Sequence, residues 1–422
     1  MAGPLPLHLL PDNATVTDGR LSIGGVDVIE LAERYGTPLF VYDEDHLRAR
    51  CREAVEAFGS GVAYATKAFL CKAMAVLAHE EGMHLDVASG GELHVALAAG
   101  VPADQLVLHG NNKSDFEIRL ALEHGVSRIV VDSFDELERI VGLVRLGARR
   151  PEVLVRITPG VEAHTHEFIA TGQDDSKFGF GVESGEAERA IERAQKSKHV
   201  ELRGLHMHIG SQVFDVDSFR KAVEVVAPFV NGLKLPELCV GGGLGVAYVE
   251  GETAPRIADW GRLIHQAAAE AGIEARITAE PGRSIAAGAA VTLYRVGTIK
   301  QLPKIRTYLS VDGGMSDNPR PVLYGSGYET FLPRAADAER TRRVTVVGKH
   351  CESGDFLVRN GHVPADVAVG DILATPVTGA YGHSMGSNYN KVPRPAVIFV
   401  AEGEARPVVR RETYEDLLRC DV

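Results

Sequence analysis

The sequence is sparing with the residues that mark several large classes of protein. Five cysteines occur in 422 residues. Cys51, Cys71, Cys239, Cys351 and Cys420 form an odd, scattered set without a CxxC pair, which excludes a disulfide framework and a zinc ribbon. No basic cluster is present and the formal net charge is -12 at pH 7, so general affinity for nucleic acid or anionic lipid is excluded. No stretch has the length of a transmembrane helix, and the opening MAGPLPLHLLPDN lacks a basic region followed by an apolar core. A cytoplasmic location is expected. GxGxxG, Walker-loop and HExxH patterns are missing, as are low-complexity segments and short repeats.

What is present is alternation. From residue 61 the β-rich runs GVAYATKA, HLDVA, LVLHG, RIVVDS, VLVRITPG, LRGLHMHIGS, LCVGGGLG and ARITAEPGR are separated by stretches such as KAMAVLAHEEG and SFDELERIVGLVRLG. The apolar residues of those stretches recur at helical spacing. Eight consecutive strand-helix units predict an α/β fold with a parallel (β/α)8 TIM barrel, placed over residues 36–285. After residue 286 the runs VTLYRVGTIKQL, TYLSVDGG, VTVVGKH and AVIFVAEGEARPVV, with Gly and Pro turns between them, predict a C-terminal β-sandwich or β-barrel domain over 286–422. The β-like ATVTDGRLSIGG, within residues 1–35, is expected to join that domain.

Lys67, Asp86, His109, Arg156, His206, His208, the glycines 241–243 and Glu280 all fall near the carboxyl ends of these strands. In a barrel that face carries the active site. Lys67 poses the sharpest question, because it ends an apolar run and lysine is rarely buried unpaired. It either snorkels into water or works as a nucleophile, and a lysine among cationic or apolar neighbours gives up its proton more readily.

Other motifs have a plain and a functional reading. In CVGGGLG, Gly241, Gly242 and Gly243 form a tight turn or let backbone N–H groups approach a phosphate. In HMHIGSQ, His206 and His208 are two apart on a strand and face one side; they are core histidines, metal ligands of a barrel hydrolase, or a flat ring against an aromatic cofactor with Ser211 donating to its phosphate. In TAEPGRS, Glu280 and Arg283 either close the barrel as an ion pair, or Glu280 meets a protonated ring nitrogen. GKHCESGD offers Cys351 beside Glu352 in a surface or interface loop, and TGAYGHSM offers Tyr381 in a Gly-flanked turn.

Taken in order, YATKAF, DVASGGEL, HMHIGSQ, GGGLG, EPGR, DGGMSDNPRPVLY, CESGD and GAYG resemble the fold-type III pyridoxal-phosphate decarboxylases over nearly the whole chain. TGQDDSKFGF and the extended HIGSQ are closer to the diaminopimelate decarboxylases than to the eukaryotic ornithine enzymes. The resemblance implies an alanine-racemase-like barrel with a β domain, acting as a homodimer with shared active sites. Pyridoxal 5'-phosphate would be held covalently by Lys67, stacked on by His208, and met at its ring nitrogen by Glu280. Its phosphate would be bound by Ser211 and Gly241 to Gly243. Asp86, Arg156, Gly282, Arg283 and Tyr381 would also border the cofactor. Arg283, Arg320, Tyr324, Glu352 and Tyr381 would bind substrate. Cys351, from the partner subunit, would return a proton to the substrate carbon.

The implied reaction is decarboxylation of meso-2,6-diaminopimelate to L-lysine. Its far end carries an ammonium and a carboxylate, for which Glu352 and Arg320 are suited. The alternatives are a decarboxylase of ornithine, arginine or lysine, and a metal-dependent barrel hydrolase. On the main reading no metal ion, nucleic acid or membrane is involved. Residues 162–181 are expected to form a loop near the site.

Overall fold

The computed structural model describes residues 3–161 and 176–422; the expected loop over 162–181 lies outside the described residues up to position 175. The chain divides into two compact units. One comprises Arg50–Gly245 and Ala254–Ser284, the other Met1–Ala49, Val246–Thr253 and Ile285–Val422.

The first unit is the barrel. Strands β1 (Ala63–Ala65), β2 (His84–Val87), β3 (Leu106–Leu108), β4 (Arg128–Val131), β5 (Glu152–Thr158), β6 (Glu201–Met207), β7 (Glu237–Cys239) and β8 (Arg276–Thr278) pair in that order, each parallel to the next. The ring closes where Ala63 N–H donates to Ala279 O (2.9 Å) and Ala65 N–H to Pro281 O (3.2 Å). Strands covered on both faces read as unbroken apolar runs, and all of β4 is buried. Val107, Val130, Leu154 and Cys239, from β3, β4, β5 and β7, pack into one cluster, so the barrel interior is a filled core.

Two of the intervening helices show how local sequence sets their ends. Ser133 Oγ accepts from Glu136 N–H (3.2 Å) at the head of helix Phe134–Arg145, whose Leu137, Ile140 and Val141 are buried at helical spacing. Ser114 and Glu117 cap helix Asp115–His124 reciprocally, and Gly125 ends it at φ 74°. Each helix therefore returns the chain to the amino-terminal end of the next strand, which sets the polar residues at the opposite end.

The second unit is built on a mixed sheet. In order it contains Phe356–Val363, Arg342–Val347, Arg306–Val311, Ala290–Leu302, Leu39–Asp43, Ala396–Ala401 and Glu404–Val409, with Ile372–Pro376 also pairing with Ala290–Leu302. The long strand Ala290–Leu302 serves both halves: residues 290–295 pair with Leu39–Asp43 and Ile372–Pro376, and the rest, from Val296 and across a register shift between Val296 and Thr298, pairs with Arg306–Val311. Ala14–Thr17, Arg20–Ile23 and Val26–Asp27 form a separate three-stranded sheet. This unit runs through Ala49 instead of stopping at residue 35, because Leu39–Asp43 bonds to Ala290–Leu302 on one side and Ala396–Ala401 on the other. It also takes in Val246–Thr253, which follows the barrel's glycine run. Among the described residues no helix is long and apolar enough to cross a membrane.

Candidate active site

Glu280 lies two residues beyond β8, buried, with both carboxylate oxygens engaged. His109, directly after β3, donates from Nε2 to Oε1 at 2.8 Å, and His206, near the end of β6, donates from Nε2 to Oε2 at 2.9 Å. Burial opposes ionisation, but the imidazoles outweigh it and hold the carboxyl well below the usual carboxylate range.

The two rings act differently. Burial lowers His206 to about 4 in spite of Glu280, so at neutral pH it is an uncharged donor, and its buried Nδ1 has no partner among the described residues. Burial also works against charge on His109, yet Asp86, with Oδ1 3.7 Å from Nε2, and Glu280 raise its pKa. Of the two imidazoles, His109 is thus the one whose protonated form the neighbouring carboxylates favour. Asp86 is itself raised to about 6 by burial, with His109 opposing and Glu280 reinforcing. Arg156, on β5, is buried over the ring of Phe178 (4.4 Å) and 3.8 Å from Asp132; burial lowers its pKa.

Lys67 follows β1 in the single turn Thr66–Ala68. Its neighbours Thr66 and Ala68 are buried while Lys67 is exposed, with no hydrogen-bond partner for its ammonium among the described residues. It acts electrostatically on Asp86 and His208. His208 is half-buried, and its Nδ1 accepts from Gly242 N–H at 3.3 Å, which requires an unprotonated nitrogen. Burial, with Lys67 and Arg156 nearby, keeps its pKa well below the ordinary value. His206 and His208 therefore serve different partners, and they do not act as a pair of metal ligands.

The glycine run is imposed by crowding. A Cβ at Gly241 would lie 2.4 Å from Met207 O, one at Gly242 2.2 Å from Glu280 O, and one at Gly243 2.1 Å from Gly210 O. Beside it Arg283 Nη2 donates to Ser211 Oγ at 2.9 Å, which leaves the serine proton available to donate. Gly282 is required by Ala65, whose carbonyl would sit 2.9 Å from an added Cβ.

These groups suit pyridoxal phosphate. An exposed amine, an ionised carboxylate fixed by two donors, a neutral imidazole face, and a glycine turn flanked by a hydroxyl and a guanidinium match the aldehyde, ring nitrogen, ring plane and phosphate in turn. Among the described residues His109, His206 and Glu280 also bring three potential metal-ligand atoms within 4.8 Å of one another. Nε2 of both rings is already committed to Glu280, so neither offers that nitrogen to a metal, while each Glu280 oxygen keeps a second lone pair for a further donor.

The second unit contains the remaining expected residues. Arg320 opens helix Arg320–Tyr324 and is buried, with Nη1 donating to Tyr328 Oη at 2.5 Å and the guanidinium 4.1 Å over the ring of Tyr248. Tyr324 is half-buried on the same helix. Cys351 and Glu352 are exposed; Cys351 N–H donates to Asn390 Oδ1 (2.9 Å), and Glu352 Oε1 accepts from Gly354 N–H (3.2 Å). Buried Asp355 fixes this loop by accepting from Met315 N–H (2.7 Å) and His350 N–H (2.9 Å). Tyr381 has φ 61°, a left-handed conformation rare for a bulky residue.

Several of these residues were not identifiable as site components in the sequence. His109 and His206 were visible as polar strand ends, but not as partners of Glu280. Tyr248, Tyr328 and Asn390 carried no motif.

Comparison with known proteins places the chain. A family model described as "Pyridoxal-dependent decarboxylase, pyridoxal binding domain" matches residues 44–287. The chain is 47% identical to the diaminopimelate decarboxylase of Bacillus subtilis (strain 168), covering 96% of this chain and 95% of that protein. It is 46% identical to the diaminopimelate decarboxylase of Mycobacterium tuberculosis (strain H37Rv), covering 99% of each. The crystal structure of the M. jannaschii diaminopimelate decarboxylase in complex with L-lysine superposes with a TM-score of 0.90 at 34% identity over 98% of both chains. Fold and full-length similarity agree, and the chain belongs to the pyridoxal-dependent decarboxylases, within them to the diaminopimelate decarboxylase family.

Proposed function

We propose that this chain removes one carboxylate of meso-2,6-diaminopimelate to give L-lysine and carbon dioxide, the last step of lysine biosynthesis. The observation that carries the reading is the Glu280 carboxylate held ionised by His109 and His206 on the barrel face that also presents Lys67. Bound pyridoxal phosphate supplies an aldehyde for amines and a ring that accepts the electrons left by departing carbon dioxide.

The chain's own residues do the rest. Lys67 offers the amine that tethers the cofactor, and its exposure leaves room for a substrate amine to replace it. Glu280 would accept a hydrogen bond from the ring nitrogen and keep that nitrogen protonated. His208 would offer its imidazole face to the ring. Ser211, Arg283 and the N–H groups of Gly241 to Gly243 would hold the phosphate, with Asp86, Arg156, Gly282 and Tyr381 bordering the cofactor. Arg320 meets the far carboxylate, since its buried guanidinium has no carboxylate partner among the described residues. Arg283, Tyr324 and Tyr381 line the substrate, and Glu352 meets the far ammonium. Cys351 returns a proton to the carbon that lost its carboxylate.

The exposure of Cys351 and Glu352 on an ordered loop supports a homodimer in which a second copy contributes them. Five free thiols suit a reducing compartment, the cytoplasm. The test offers purified protein with pyridoxal phosphate four substrates in parallel: meso-diaminopimelate, ornithine, arginine and lysine. Carbon dioxide and L-lysine from diaminopimelate alone are expected. Turnover of ornithine or arginine in its place would overturn the substrate assignment and keep the chemistry.

A further inference from the structure

Two buried arginines in the second unit are treated in opposite ways. Arg340, 1% exposed, has two carboxylates: Nη1 donates to Glu329 Oε2 (2.9 Å), Nη2 to Glu250 Oε2 (3.0 Å), and Nε to Gly3 O (2.9 Å). Arg320, 4% exposed, has none among the described residues. Its neighbours are two phenols: Tyr328, which accepts from Nη1, and Tyr248, whose ring lies under the guanidinium at 4.1 Å. Arg320 Nε is buried with no hydrogen-bond partner among the described residues. A buried cation without a counter-ion is costly, and an arginine caged by aromatic rings with donors left over is a built site for an anion.

The cage has a support of its own. Tyr248 belongs to Val246–Thr253, the segment that begins three residues after Gly243. Glu250 N–H donates to Glu329 Oε1 (3.2 Å), and Arg340 bridges the side chains of Glu250 and Glu329. Glu329 directly follows Tyr328 and Glu250 lies two residues after Tyr248, so one clasp fixes both tyrosines. Their rings meet edge to face, with centroids 5.3 Å apart at 78°. The Arg340 clasp sets the rings, and the rings set Arg320.

We propose that Tyr248 and Tyr328 are positioning residues that aim Arg320 at the far carboxylate of the substrate, and so set the preference for a substrate with two carboxylates. The inference rests on the proposed diaminopimelate reaction. It has a direct chemical readout, because L-lysine keeps the far carboxylate and 1,5-diaminopentane lacks it while matching the rest of the chain length.

The experiment measures inhibition by these two compounds, and KM and kcat for meso-diaminopimelate, in Tyr248→Leu, Tyr248→Phe and Tyr328→Phe holoenzymes. Removing the ring in Tyr248→Leu should weaken L-lysine inhibition and raise KM by about tenfold. Inhibition by diaminopentane and kcat should stay within about twofold, and Tyr248→Phe, which keeps the ring face, should restore wild-type values. Tyr328→Phe keeps the packing and removes only the acceptor, and should produce the same selective loss even if Tyr248→Leu does not fold. Equal weakening of both inhibitors in Tyr328→Phe, or no weakening of L-lysine, would overturn the positioning role. Wild-type enzyme that turns over ornithine and ignores diaminopimelate would instead overturn the substrate assignment.

Discussion

At the amino-terminal ends of the barrel strands, Glu237 accepts hydrogen bonds from Arg128 Nε (2.9 Å), Arg276 Nη2 (2.7 Å) and Thr278 Oγ1 (3.1 Å). At the carboxyl ends, Glu280 accepts from His109 and His206. Each end thus has a buried carboxylate with several donors, and residue type alone does not separate them. The partners do. Glu237 is held by two guanidiniums in direct ion pairs, so that end is a structural plug. Glu280 is held by imidazoles, one lowered to about 4 by burial and one raised by its carboxylate neighbours, beside a lysine whose amine has no hydrogen-bond partner among the described residues. In a barrel, the first arrangement belongs to stability and the second to chemistry.

The sharpest break in this comparison is between two lysines. Lys113 is 2% exposed, and its three ammonium donors reach Gly110 O (2.7 Å), Val130 O (2.6 Å) and Glu136 Oε1 (2.8 Å). Lys67→Ala is expected to lower turnover at least about a thousandfold and to abolish borohydride trapping of the cofactor. Folding stability should move by no more than about 0.5 kcal/mol, because the side chain is exposed. Lys113→Ala leaves Glu136 buried without its cation and should cost about 3–5 kcal/mol in urea denaturation, with little change in turnover per folded molecule. A Lys67 variant that still forms the borohydride adduct would remove that residue from the account.

Glu237→Gln probes the plug itself. Arg128 would lose its charged partner in a buried position, and stability should fall by about 3 kcal/mol or more while KM and kcat hold. A changed KM would mean that the two ends are coupled through the packed interior.

How much of this was open to sequence reasoning depended on the range of the interaction. The eight strands were legible because each is a local run, and their polar ends because the barrel puts every carboxyl terminus on one face. The strand Leu39–Asp43 was not, since LFVYD is as apolar as a barrel strand and only its pairing with Ala290–Leu302 and Ala396–Ala401 assigns it. The imidazole clamp was hidden for the same reason: His109 and His206 lie 171 and 74 residues from Glu280, and ring closure alone brings them together. Tyr248 was further out of reach, because Val246–Thr253 leaves the strand-helix alternation that made the rest readable.

The smallest expected effect separates the ends by pH. His84 opens β2 and is lowered to about 4 by burial and by Arg128 and Arg276, despite Glu237; His206 is lowered to about 4 by burial, despite Glu280. Both are neutral when folded and become charged on unfolding below pH 6.5, so stability is complete above that pH and is lost as pH falls toward 4. At pH 5 each should cost about 2 kcal/mol relative to pH 7. His84→Gln and His206→Gln should therefore blunt the acid loss, seen in urea midpoints at the two pH values, by similar amounts. Only His206 touches Glu280, so only its variant should weaken cofactor retention and change the pH profile of kcat. Equal effects of both variants on activity would erase the distinction between plug and site. An unchanged acid loss in His206→Gln would mean that the ring is already charged in the folded protein, and that Glu280 is held by two cations.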